Sequence, residues 1–198
     1  MKLNLNLEES PSDSKRDLIL FQNHILAIGG ENGNITTAPL DNLSFPHEFK
    51  VVHQIDDPIQ CIALNTDGSL MALGMEDGSV DIYAFDKEEV HPLLKPLIKS
   101  EDDFFTQEED TFESCLIPAF KLEQRFDVSI RALQFCPQKN LLAVATESSP
   151  GIAIFEINEG GSKLMYQDEE LNGGRTVVYS PDGTSCVSLG LDGKFYFY

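Results

Sequence analysis

Apolar and polar positions trade places along this chain in short runs cut by turn residues. The first residues, MKLNLNLE, alternate Leu3, Leu5 and Leu7 with Asn4, Asn6 and Glu8, the period-two pattern of a strand with one buried face. The turn-forming stretch SPSDSK follows, so this strand needs a partner from far along the chain. Further on, ILAIGGENGNITTAPL (25–40), LMALGMEDGSVDIYAF (70–85), LLAVATESSPGIAIFEI (141–157) and CVSLGLDGKFYFY (186–198) share one plan. Each is an apolar strand, a turn containing Gly or Asp, and a second strand ending in an aromatic or apolar pair. Before three of them stand PIQCIALNTDGS, SIRALQFCPQKN and RTVVYSPDGT, strands that run into tight turns.

The pattern repeats. Residues 49–77 align without a gap on 120–148 at an offset of 71, so that Phe49 falls on Phe120, Lys50 on Lys121, Ile59 on Ile130 and Ala72 on Ala143. From Pro137-Gln138-Lys139 to Pro181-Asp182-Gly183 the interval is 44, within the roughly 40–45 residues of a WD-type repeat. The longer interval is one repeat plus an insertion, KEEVHPLLKPLIKSEDDFFTQEEDTFES (87–114).

These residues resemble the WD-repeat β-propeller family over nearly all of 15–198. The chain has no Trp and no Gly-His dipeptide, and Ile82-Tyr83, Ile154-Phe155 and Phe197-Tyr198 replace the family's Trp-Asp ending. The resemblance implies an all-β propeller of about four four-stranded blades. Strands are expected near 17–21, 25–29, 34–38 and 49–55; near 58–65, 70–75, 79–85 and 119–126; near 129–136, 141–146, 151–157 and 162–167; and near 174–180, 185–190 and 193–198. The last blade is one strand short. Either residues 1–9 complete it and close a small ring, removing the exposed edge, or the chain is part of a larger propeller.

Charge narrows the partners. With 14 Lys and Arg against 33 Asp and Glu, the net charge is −19. Such a surface repels a phosphate backbone, so direct nucleic-acid binding is not expected; other proteins are, above all basic ones or members of a larger complex. No apolar run reaches the roughly 18–20 residues of a membrane span, and no signal-peptide pattern opens the chain, so the expected location is nucleus or cytoplasm. Cys61, Cys115, Cys136 and Cys186 form no CxxC pair, which points to small buried residues rather than a metal site or disulfide framework.

Catalytic chemistry is not expected. His24, His47, His53 and His91 have no second ligand at metal spacing. GGENG (29–33) runs into the strand-like NITTAPL, which offers no helix N-terminus for a phosphate. No GxSxG or HExxH motif occurs. The expectation is a non-enzyme without cofactor or metal.

The insertion encodes something other than a blade. Residues 86–114 hold ten acids and three lysines, a local charge of −7. Glu101, Asp102, Asp103, Glu108, Glu109, Asp110 and Glu113 form an acidic run punctuated by Phe104, Phe105 and Phe112. One reading is a solvated loop between two strands. The other is a partner-binding segment, its acids attracting a basic surface and its phenylalanines burying on contact.

The run 24–85, with Phe45-Pro46 and the Asp67-Gly68 turn, is similar to the N-terminal propeller of the chromosome-transmission-fidelity replisome scaffold. That resemblance implies a nuclear adaptor for replication factors. A trafficking or assembly adaptor and an acidic chaperone of histones or other basic proteins are the alternatives.

Overall fold

The computed structural model describes residues 15–21, 25–30, 33–39, 50–85 and 116–198. Among them lie fifteen strands and no helix, as a sequence of short apolar runs and Asp-Gly turns dictates. Strands β1 (Lys15–Phe21), β2 (Ile25–Gly30), β3 (Asn34–Pro39) and β4 (Lys50–Gln54) form a first antiparallel sheet in chain order. The second joins β5 (Ile59–Leu64), β6 (Leu70–Met75), β7 (Val80–Phe85) and β8 (Leu116–Lys121). The third is built from β9 (Ile130–Phe135), β10 (Leu141–Thr146), β11 (Ile152–Asn158) and β12 (Gly161–Asp168). The last has three strands, β13 (Gly174–Tyr179), β14 (Cys186–Gly190) and β15 (Phe195–Phe197). Residues 1–9, offered above as a closing strand, lie outside the described residues.

The first strand of each sheet packs beside the first strand of the next: β1 against β5, β5 against β9, β9 against β13. The second strand also touches that neighbour, β2 on β5, β6 on β9, β10 on β13. The sheets therefore fan around a line on which β1, β5, β9 and β13 are innermost. β6 and β10 are buried along five of their six residues, because a neighbouring sheet covers each face. This is why LMALGM and LLAVAT carry no polar face.

Three apolar seams hold the fan together. Ile35 meets Ile59, Met71 and Leu73 between the first two sheets. Phe126, Leu133, Val144 and Phe155 fill the second seam, where the Phe126 and Phe155 rings meet edge to face at 6.2 Å and 85°. Ala143, Ile152, Leu171, Val177 and Cys186 fill the third.

One strand is shifted from its sequence-based place. The outer strand of the second sheet is Leu116–Lys121, not 119–126. The expected place followed from laying 120–148 on 49–77; in the structure Leu122 and Phe126 lie beyond the strand and are buried. They are buried as loop anchors: the Phe126 amide donates to the Gly78 carbonyl at 3.0 Å, folding 122–128 across the end of the sheet toward β9.

Extra residues recur at fixed places. Gln60, Arg131 and Arg175 are bulged out of the innermost strands, and Arg16 holds the same register position in β1. Val52, Ala119 and Met165 are bulged out of β4, β8 and β12. Such bulges sharpen twist and turn a side chain toward a different neighbour.

Candidate protein-interaction site

Two surfaces among the described residues stand apart from the packed interior. The first is the free face of the three-stranded sheet. Register across β13, β14 and β15 sets Thr176, Leu189 and Phe195 in one row and Val178, Val187 and Phe197 in the next. Their neighbours Val177, Tyr179, Cys186 and Ser188 point into the third seam. Val178 is 52%, Phe195 66% and Phe197 77% exposed.

The corresponding face of the third sheet is covered. Gln134, Ala143, Ile152 and Ile154 occupy there the positions of Val178, Val187, Phe195 and Phe197. Ile152 is fully buried, and the Gln134 side chain accepts the Tyr179 amide at 2.6 Å. One pattern of apolar residues is thus covered in one sheet and bare in the next, and on β15 it is built from larger rings. Among the described residues, β15 pairs only with β14 and no strand lies over this face.

The second surface is a cleft of about 770 Å³ between the second and third sheets. Its floor is Leu70, Ala84, Ala119, Phe120, Phe135 and Ile157. The bulge at Ala119 brings it and Phe120 to the same side. The rim is two turns fastened to each other: the Thr66 hydroxyl donates to the Pro137 carbonyl at 3.2 Å. Within the first turn Asn65 Oδ1 accepts the Leu70 amide at 2.9 Å, and Asp67 Oδ1 accepts the Ser69 amide at 2.9 Å.

Aspartate closes other turns in the same way. Asp182 Oδ1 takes the Ser180 hydroxyl at 2.5 Å and the Thr184 hydroxyl at 2.8 Å, and these bonds with the Thr184 amide lower its carboxyl to about 2. At Asp77 burial pushes upward, but hydrogen bonds from Ser79 and the charge of Arg125 at 2.7 Å hold the group below its ordinary value. Since the folded carboxyl of Asp182 sits below its ordinary 3.8, its contribution to stability is whole above pH 4 and drains away as pH falls from 4 toward 2. In Asp182→Asn, where the amide oxygen still accepts but no longer titrates, the melting temperature should fall less steeply over that window. Parallel curves for parent and variant would refute the assignment.

Metal-binding and nucleophilic chemistry is read from the described residues alone. Among the described residues no cluster of three or more His, Cys, Asp or Glu is placed to hold a metal. Cys61, Cys136 and Cys186 are buried and in no disulfide, and burial pushes the Cys186 thiol up to about 11, where the thiolate is scarce at neutral pH. The polar groups at the inner bulges neutralise one another: Arg131 pairs with Glu147, and Gln60 donates to Glu76 at 3.4 Å. At the place of those glutamates the last sheet has Leu191 beside Arg175.

Solved structures place this arrangement. The β-propeller domain of Myceliophteria thermophila Cps50 (Swd1) superimposes with a TM-score of 0.65 at 12% identity, covering 94% of this chain and 54% of that one. The WD40 repeats of RRP9 superimpose with a TM-score of 0.59 at 8% identity, covering 96% and 52%. The fold is that of a WD40 β-propeller. Its four sheets are propeller blades, and the chain spans about half the length of either solved structure. No family model and no curated protein matches the sequence.

Glu101, Asp102, Asp103, Phe104, Phe105, Glu108, Glu109, Asp110, Phe112 and Glu113 fall outside the described residues. Their neighbours on either side are placed: Phe85 pairs with Leu116 across β7 and β8. The bare blade face was the surface that sequence reading passed over. Its signal was FYFY (195–198), a strand with aromatic residues on both faces, which in this fold means that both faces ask for a cover.

Proposed function

We propose that this protein is a non-catalytic scaffold that holds other proteins together. The observation that carries the reading is the exposed apolar row of Val178, Phe195 and Phe197, on a sheet whose outer strand β15 pairs with no other described strand than β14. A net charge of −19 selects basic partners or basic patches within a larger complex. Similarity to the replisome-scaffold propeller favours a replication or chromatin adaptor in the nucleus, with the acidic 101–113 run as a second contact. The same charge supports the alternative of an acidic chaperone for histones or other basic proteins, and a cytoplasmic trafficking adaptor is the remaining reading. Among the described residues no helix is long and apolar enough to cross a membrane.

The test is cross-linked purification with mass spectrometry on four chains: the parent, Phe195→Ser with Phe197→Ser, a chain neutralised across 101–113, and one lacking 87–114. Serine at these two exposed positions should alter stability by no more than about 0.5 kcal/mol each while removing most of the partners. Replication proteins or histones recovered by the parent and lost from the variants would establish the adaptor. A parent chain that recovers nothing above background refutes the scaffold.

A further inference from the structure

We propose that the cleft between the second and third blades binds an extended peptide in which an apolar side chain is flanked by lysine or arginine. The inference rests on the scaffold reading and names a second, separate docking place for it. Shape comes first. At about 770 Å³ the cleft is of the size that buries a ligand rather than a single side chain. Its floor is two phenylalanines and four aliphatic residues, with Phe120 half-buried and Ala119 exposed, so that an incoming apolar group meets carbon on several sides.

The rim is already ordered. Asn65, Asp67 and Ser69 are held by bonds within their own turn, and Thr66 ties that turn to Pro137 in the next blade. A peptide laid along it would find donors and acceptors in place, without the cost of ordering them.

Charge identifies the occupant. Among the described lining residues, Asp67 and Glu159 are acidic and Lys139 is the cation. Acids thus outnumber cations along the lining, on a chain whose net charge is −19. β7 ends and β8 begins at its margin, where Ala84 pairs with Ile117. An acidic or neutral peptide would gain only the floor, whereas a basic one gains floor and field.

The probe is a fluorescein-labelled, acetylated hexapeptide of two lysines, leucine, phenylalanine and two lysines, titrated with the full chain by fluorescence anisotropy. A control peptide has serine for the leucine and phenylalanine. Saturable binding of the probe should weaken about tenfold in Ala119→Arg, which fills the cleft with a guanidinium. It should weaken about threefold in Glu159→Lys, a reversal at an exposed hairpin turn, and steadily with added sodium chloride. Both positions are exposed, so unchanged melting curves will show that the variants are folded. Equal binding by parent and Ala119→Arg, equal binding of the serine control, or no saturation at all overturns the cleft proposal. The scaffold reading would survive any of these results. It fails only if the parent chain recovers no partner in the cross-linking experiment.

Discussion

Phe155→Ala should destabilise the protein by about 3–5 kcal/mol, lowering its melting temperature by roughly 6–20 °C for a chain of this size. The ring is fully buried in the seam between the second and third blades. There it stands edge-on to Phe126 of the crossing loop. Alanine leaves a void that strands on both sides, tied into their own ladders, cannot collapse to fill. Phe155→Leu keeps most of the volume and should cost only about 1 kcal/mol. Circular-dichroism melts of the two variants provide the measurement. A loss below 1 kcal/mol for alanine would mean that this seam contributes little to ordering the blades.

Gly78→Ala should be nearly as damaging, at about 3 kcal/mol or more, for a reason rooted in the backbone. Gly78 sits at φ +85°, and a Cβ there would lie 1.9 Å from the Phe126 carbonyl oxygen and 2.7 Å from that of Val128. The left-handed conformation alone costs an alanine about 1–2 kcal/mol. Relieving the clash would break the hydrogen bond from the Phe126 amide to the Gly78 carbonyl, worth about another 1 kcal/mol. Gly193 is the control, at φ +80° with open space where its Cβ would stand. Gly193→Ala should therefore show the conformational cost alone. If the two variants melt together, the crossing loop is not braced against the Asp77-Gly78 turn.

These two residues show how unevenly the chain displays its structure. Gly78 belongs to an Asp-Gly-Ser turn that reads as a turn from three adjacent letters, but that Phe126 crosses over it is invisible at a separation of 48 residues. The alignment on 49–55 made 119–126 look like strand, but an apolar residue in a short run means strand if its neighbours pair and anchor if they turn, as at Phe126. The offset of 71, by contrast, carried over intact, with β5 and β6 beginning that far before β9 and β10. Two blades built on one length of strand and turn have little freedom to differ.

The interaction surfaces were less legible. The acid-rich 101–113 announces itself by composition and lies outside the described residues. The bare blade face and the cleft have ordinary composition, Val, Leu, Phe and Ala in strands, and nothing local separates a covered phenylalanine such as Phe155 from a bare one such as Phe197.

The sequence by itself determined where strands lie in all but the outer strand of the second blade, which turns close them, and that the unit repeats, since alternation and Asp-Gly turns are properties of contiguous residues. It also set the net charge of −19 on which the proposal of basic partners rests, because charge needs no coordinates. Only the tertiary structure decided which apolar faces are covered, which bulge turns Ala119 beside Phe120, and that Thr66 meets Pro137 to rim a cleft. Burial and clefts depend on residues far apart in the chain, and a local pattern tells a strand that it has an apolar face without telling it what will lie there.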